Sequence, residues 1–497
     1  VRQGSIVNAA SHLPGSLPGG ALAPGSLAIV EGLRFDPGDV RVEIEARGKV
    51  YPATVVDAAS ERLTVRLPRL SPAGPAKLFV SSRGKRSVGS DIRLAPGAFG
   101  IFTVNRKGWG PAAPTVWAPG ARATVTGTGL GGIPENAIKV FVAGRAARHV
   151  RRRERNDAVQ LSFDIPADSP EGCAVPVVVV AGGLTSNTAA LRVGRAGDCA
   201  HGPSRASSGS VVLLRSDVIL ELEPGKPVPF RLDNFAAGFD RPRAVRESGP
   251  LDLLPPAGSC TAWAGPFNSS DFVLPTLLGP APGDADTTID LGPAVAERTE
   301  SLEDLDAGPE LTLTGPLGVR RIRRSGHQPR IYSAMLGGNP PLARIAATPL
   351  FLVPGMYRVD VPGGADVGGA SAPLEISDPI VWRNREATGV LDRRTGVEME
   401  WTLQAGYTGV GFAWNIDRRS GAAGVAVCVA ARGADRIRMP GTALANLPAT
   451  GSSASDLSLG FLGVAGIPIE PLPLRATGLD ESRVAAVSLS GRSVVVK

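Results

Sequence analysis

The chain has 497 residues, carries 62 Gly and 44 Pro, and is 43% hydrophobic but only 5% aromatic. At roughly 150 residues per domain this length predicts three to four domains. So high an apolar content beside so much Gly and Pro excludes a disordered chain and predicts many tight turns between apolar segments. The formal charge is +7, yet Arg supplies 46 of the 53 basic residues and they are thinly spread, which fits a GC-rich coding bias better than a nucleic-acid surface. Four His, four Cys and four Met leave few of the side chains from which metal sites and nucleophilic dyads are built.

The chain begins at Val1 rather than Met and reads as processed or truncated, with any export signal already removed. Its first twenty residues are small or apolar and could form an edge strand on this or a neighbouring molecule. Two segments then repeat one pattern. Leu22 to Val30 (LAPGSLAIV) opens the first and Trp117 to Val125 (WAPGARATV) opens the second. Each continues into an alternating strand, Val40 to Ile44 or Ile138 to Val142, and closes with an apolar run and a short strand: Lys77 to Val80 with Asp91 to Leu94, and Val175 to Val180 with Thr188 to Val193. Alternation with period two and turns every eight to twelve residues is the mark of a β-sandwich.

Ala196 to Ser210 has no periodicity and predicts a linker. Strands follow over Val211–Leu214, Val218–Leu222 and Val228–Leu232, then acidic, Pro-rich loops over 252–310 with at most a short helix near 295–305. Strands resume at Leu311–Thr314, Val319–Ile322, Ile331–Leu336 and Tyr357–Val361. A last unit holds Val397–Leu403, Tyr407–Trp414, Gly424–Ala430 and Arg483–Lys497. The expected fold is all-β, tandem immunoglobulin-like β-sandwiches over 1–103, 104–196, 211–378 and 379–497, with 197–210 as linker. The longest apolar run, Ala174 to Leu184, is far short of the ~20 residues of a membrane helix.

The Ala-Pro-Gly openings, the Gly127-Thr128-Gly129-Leu130 turn and the ending Ala181-Gly182-Gly183-Leu184-Thr185-Ser186-Asn187 resemble TIG/IPT-type immunoglobulin-like domains. The leader Val7 to Ser11, the connection Gly97 to Phe102, and Pro354-Gly355-Met356-Tyr357 and Ile380 to Arg385 farther on resemble secreted acidobacterial proteins with paired modules of this kind. The resemblance implies export and sandwich modules and brings no catalytic residues with it. The strongly basic Arg148 to Arg155 departs from such modules.

Gly127 to Gly132 satisfies G-x-G-x-x-G, but Ile133-Pro134-Glu135-Asn136 and a strand follow it instead of a helix, so the glycines read as a turn requiring positive φ. The histidines His12, His149, His201 and His327 are scattered, and Cys199 beside His201 is a poor chelate. Asp284 to Asp290 places oxygens at alternate positions, yet Ile289 and Val295 stand where a calcium loop needs Gly and Glu. Glu398 and Glu400 share a strand face, as a glycosidase pair or as wet-face residues. Zincin, G-x-S-x-G and P-loop signatures are absent.

A hairpin centred near Ser186 sets Cys173 opposite Cys199, and elimination pairs Cys260 with Cys428, stapling the third unit to the fourth; two such bridges indicate an oxidising compartment. Arg148, Arg151, Arg152, Arg153 and Arg155 are expected on a hairpin tip, either as a solvated loop or as an interaction patch for anionic polysaccharide, nucleic acid or an acidic patch of a neighbouring subunit; the absence of aromatic residues around them disfavours base stacking. A second basic cluster spans Arg320 to Arg330. The six Trp are dispersed and read mainly as core or interface residues.

The expectation is therefore an extracellular or cell-surface structural protein, rod-like and non-enzymatic, self-associating into a fibre or surface assembly. It has no catalytic or metal-binding residues and no cofactor. Its expected partners are further copies of itself and an anionic polysaccharide, with no nucleic acid and no membrane span. The alternative is a carbohydrate-binding adhesin, with a polysaccharide hydrolase more remote.

Overall fold

The computed structural model describes residues 6–155, 158–194, 206–223, 225–243, 254–266, 302–326, 331–339, 346–450 and 459–497. Among the described residues nearly every element is a strand, and helix is confined to single turns such as Glu135–Ala137 and Gly441–Leu444. The chain is an all-β assembly of immunoglobulin-like sandwiches, as its alternation predicts.

The first unit contains β1 (Ile6–Asn8), β2 (Leu27–Glu31), β3 (Val40–Ala46), β4 (Lys49–Ala58), β5 (Arg62–Arg66), β6 (Gly74–Ser82), β7 (Lys85–Arg86) and β8 (Ser90–Leu94). One layer runs β1-β2-β5-β4 and the other β3-β6-β8, with the long β4 pairing in both. In β3, Val42, Ile44 and Ala46 are buried while Arg41, Glu43 and Glu45 alternate with them on the wet face.

The second unit contains β9 (Gly100–Ile101), β10 (Pro111–Trp117), β11 (Arg122–Thr128), β12 (Lys139–Val142), β13 (Arg145–Ala146), β14 (Arg148–Arg155), β15 (Ala158–Asp164), β16 (Gly172–Ala181), β17 (Leu184–Thr185) and β18 (Ala189–Val193). Its layers are β14-β15-β11-β9 and β10-β18-β16-β12-β13, with β10 parallel to β18. This is the division of strands found in immunoglobulin domains. Phe163, Leu161, Val140, Val177 and Leu191 fill the core between the layers.

The junction lies earlier than the sequence suggests, because β9, expected in the first unit, pairs with β11 of the second. The glycine run is a turn under constraint. Gly129 has φ +103°, and a Cβ there would lie 2.1 Å from the carbonyl oxygen of Ala98; a Cβ on Gly127 would lie 2.1 Å from that of Gly100. The connecting segment between the units therefore presses directly on this turn.

The boundary expected at 378/379 does not divide the chain. One sheet runs in the order Ser259–Pro266, Ala422–Val429, Tyr407–Asp417, Leu459–Pro468, Glu481–Val496, Ser208–Glu223, Lys226–Pro242. Ser208 to Ile219 pairs in parallel with Glu481 to Arg492, so the third unit is completed by the last strand of the chain. The stretches expected as two strands at Val211 and Val218 form one continuous strand, because the polar Arg215-Ser216-Asp217 keeps the extended pairing where the strand passes from one sandwich to the next. Val211 and Leu213 face one core with Leu311, Val359 and Leu374 of a four-stranded sheet. A second core joins Ala426, Leu462 and Val464 to Trp382, Met399 and Trp401 of a three-stranded sheet.

Ser208–Ser210, expected in the linker, belong to this strand, and 197–205 lie outside the described residues. Leu302–Asp304, within the expected helix, is a short strand, and the rest of 295–301 lies outside. The disulfide Cys260–Cys428 is present, with Cα atoms 4.0 Å apart. It links directly opposed residues on neighbouring strands of one sheet, so it does not staple two domains. Cys173 is disulfide-bonded, and Cys199 lies outside the described residues.

Residues 6–20 of the leader are used inside the chain. β1 pairs with β2, Leu13 and Leu17 pack on Ala422, and the N–H of Gly19 donates to Asn446 Oδ1 at 3.0 Å. The beginning of the chain thus touches its last third, which departs from a simple rod of independent units.

Candidate functional site

The arginine-rich segment is not a hairpin tip. It is β14 itself, an edge strand paired with β15 on one side only. Charge does not prevent this, because edge strands commonly carry basic residues that discourage pairing with another chain. Alternation sends Arg151, Arg153 and Arg155 to the outer face, opposite Ser162, Gln160 and Ala158 of β15, and beyond them lie Thr124 and Thr126 of β11. The side chains between these arginines and β11 are uncharged, and at one end the Arg122 guanidinium reaches Ser162 Oγ at 3.4 Å.

The five arginines of the segment divide by their partners. Arg152 is half-buried at the rim of the sandwich, where it donates to the carbonyls of Ile133 (3.0 Å) and Gly131 (3.2 Å) and to Glu154 Oε1 (2.5 Å). Arg151 donates through Nη1 to Glu135 Oε1 at 3.0 Å. The other oxygen of that carboxylate, Oε2, accepts the backbone N–H of Arg152 at 2.7 Å. That backbone bond, then the Arg151 guanidinium, holds the Glu135 carboxyl below the usual carboxylate range. Arg148, Arg153 and Arg155 are exposed and have no side-chain partner among the described residues. At the near end Arg69 of the first unit lies 3.6 Å from Glu154, which continues the basic track across the junction. At the far end Asp164 is taken by Arg122 (3.2 Å) and His149 (2.6 Å).

The other candidates are occupied by structural work. In the second basic cluster, Arg320 lies 4.4 Å over the Phe351 ring, Arg321 and Arg323 lie 3.7 and 3.9 Å from Glu310, and Arg324 donates to Asp306 at 3.0 Å. His327 lies outside the described residues, as do His201 and the Asp284–Asp290 loop. Glu398 and Glu400 each face an arginine, Arg436 and Arg383, both at 3.8 Å. Trp109, Trp382, Trp401 and Trp414 are buried, and Trp117 and Trp263 are half-buried. The cleft lined by Trp109, Trp263 and Val427, between the second unit and the large sheet, has a cavity volume of about 30 Å³, room for little more than a water molecule. Among the described residues no helix is long and apolar enough to cross a membrane.

Sequence reasoning misses Glu135. Nothing in Ile133-Pro134-Glu135 signals that its carboxylate folds onto a strand sixteen residues on. The buried amides of Asn8 and Asn187 and the half-buried amide of Asn446 are missed likewise. Asn8 Nδ2 donates to the carbonyl of Ala98 (3.1 Å), Asn187 bonds the backbone of Ile101 and Gly108, and Asn446 Nδ2 donates to the carbonyl of Ser186 (2.9 Å). All three tie segments distant in sequence.

No family model matches the chain, and no curated protein matches it. Among solved structures it is similar to the SGBP-B protein of a Bacteroides ovatus mixed-linkage glucan utilization locus, in complex with a mixed-linkage heptasaccharide: 12% identity over 35% of this chain and 44% of that one, TM-score 0.21. It is also similar to domains 5–6 of the S-layer protein SbsC, at 14% identity over 35% of this chain and 91% of that one, TM-score 0.19. A tandem pair of titin immunoglobulin domains is similar at 12% identity over 35% of this chain and 90% of that one, TM-score 0.14. The chain thus spans less than half the length of the first of these.

Proposed function

We propose that the chain is a non-catalytic protein of the cell exterior, a body of fused β-sandwiches that binds anionic polysaccharide along β14. The observation that carries this reading is the set of exposed guanidiniums on one edge strand, Arg148, Arg153 and Arg155, that no acid of the described residues neutralises. Left without partners, such groups raise the local concentration of polyanions. The Cys260–Cys428 disulfide supports an oxidising, exterior location.

The test is affinity capture of the full chain on polygalacturonate, with neutral dextran and double-stranded DNA as controls. Salt-sensitive retention on polygalacturonate alone is expected. Equal retention on DNA, or none on polygalacturonate, contradicts the reading.

Self-association into a fibre or surface assembly is the second reading. It rests on two immunoglobulin-like units joined by the Leu27 N–H to Thr128 Oγ1 bond at 2.9 Å and by Asn8 Nδ2 to the carbonyls of Ala98 and Thr128. The route first expected for it, donation of the N-terminal strand to a neighbour, competes with the pairing of β1 to β2 in the same chain. An adhesin built on a tryptophan platform has less support, since no Trp is exposed.

A further inference from the structure

We infer that the group recognised on β14 is a carboxylate, that the polymer is therefore a polyuronate, and that one of its carboxylates sits between the Arg153 guanidinium and the backbone N–H of Glu154. This rests on the reading above and narrows its ligand. The edge already displays how it holds a carboxylate. Glu135 takes the Arg151 guanidinium on one oxygen and the Arg152 N–H on the other, so a side chain at one position and the main chain at the next form a two-point fork. Because the Arg152 N–H is given to Glu135, it points away from β15, and Arg152 and Leu161 form a non-hydrogen-bonded pair.

Two residues along a strand, about 7 Å, the geometry repeats. Glu154 is directly opposite Val159 in the same unbroken register, so its N–H also points outward, and Arg153 stands to it as Arg151 stands to Arg152. The second fork differs in one respect: Arg153 has no partner, where Arg151 has Glu135. A planar carboxylate presents its two oxygens to two divergent donors, and arginine is suited to this geometry while lysine is a point charge. A polyuronate offers such a group on every ring. Arg148 and Arg155 flank the fork and contribute non-directional attraction.

The experiment measures affinity of the full chain for polygalacturonate and for dextran sulfate of matched charge. It compares the unaltered protein, Arg153→Lys, and the double variant Arg148→Gln with Arg155→Gln. The expected result is tighter binding of polygalacturonate than of dextran sulfate. Arg153→Lys should weaken the polygalacturonate complex on the order of tenfold with little change for dextran sulfate, and the double variant should weaken both alike. If Arg153→Lys binds polygalacturonate as the unaltered protein does, or if dextran sulfate binds as tightly, the carboxylate inference is overturned while polyanion binding stands. If neither polymer binds, the proposed function itself falls.

Discussion

Three asparagines, Asn8 and Asn187 buried and Asn446 half-buried, carry much of the long-range connection in this molecule. A primary amide has two donors and an acceptor, so one side chain can satisfy backbone groups that no sheet ladder reaches. Asn446 accepts from Gly19 N–H and donates to the carbonyls of Thr185 and Ser186, joining the leader, the second unit and the last third of the chain. Asn446→Ala should lower stability by about 1–3 kcal/mol through the unmade bonds, seen as a lower denaturant midpoint. His12 gives a second handle. Burial, reinforced by the Arg62 charge, holds its imidazole below the ordinary value of 6.5. The folded chain therefore resists a proton that the unfolded chain accepts. The His12 contribution is full above about 6.5 and is lost as pH falls through and below that value. Equilibrium unfolding between about pH 7.5 and 5.5 should show a steeper loss of stability for the unaltered chain than for His12→Asn, which tolerates the φ of +54° at this site. Neither role is legible in the sequence, because an amide or imidazole among apolar neighbours looks the same whether it meets solvent or a distant carbonyl.

Strands were the legible element, since a sandwich must place every second side chain in its core. Val40–Ile44, Val175–Val180 and Tyr407–Trp414 all fall within strands at the expected positions. Arg148–Arg155 was misplaced for a physical reason. An edge strand buries little and needs few apolar residues, so its sequence resembles a charged loop until its partner β15 is known. Likewise the Cys260–Cys428 pairing could be reached by elimination, but its setting within one sheet could not. Replacing both cysteines with Ala should cost about 2–5 kcal/mol, with the loss confined to the unfolding of the large sheet. Gly129→Ala should destabilise the junction of the first two units by more than about 1 kcal/mol, because positive φ and the nearby Ala98 carbonyl both oppose a Cβ. Calorimetry of each variant checks the assignment of the loss to its element.

At the scale of the whole molecule, the parallel pairing of Ser208–Ile219 with Glu481–Arg492 decides the architecture. A parallel neighbour so far away in sequence leaves no local pattern, which is why two separate domains were expected where one sheet serves two sandwiches. The leader adds a second long-range tie, from β1 through Leu13 and Leu17 to Ala422. Removing residues 1–20 should split a coupled thermal transition into separate ones for the first unit and for the remainder.

β14 stands apart from these ties as an exposed edge strand, and the proposed polyanion binding is tested there. The most direct measurement is hydrogen exchange across β14, with and without polygalacturonate. Peptides spanning 148–155 should gain protection at low ionic strength and lose it when salt screens the arginines. Binding accompanied by protection elsewhere, with 148–155 unchanged, would show that the arginines of this edge serve only to keep other strands away.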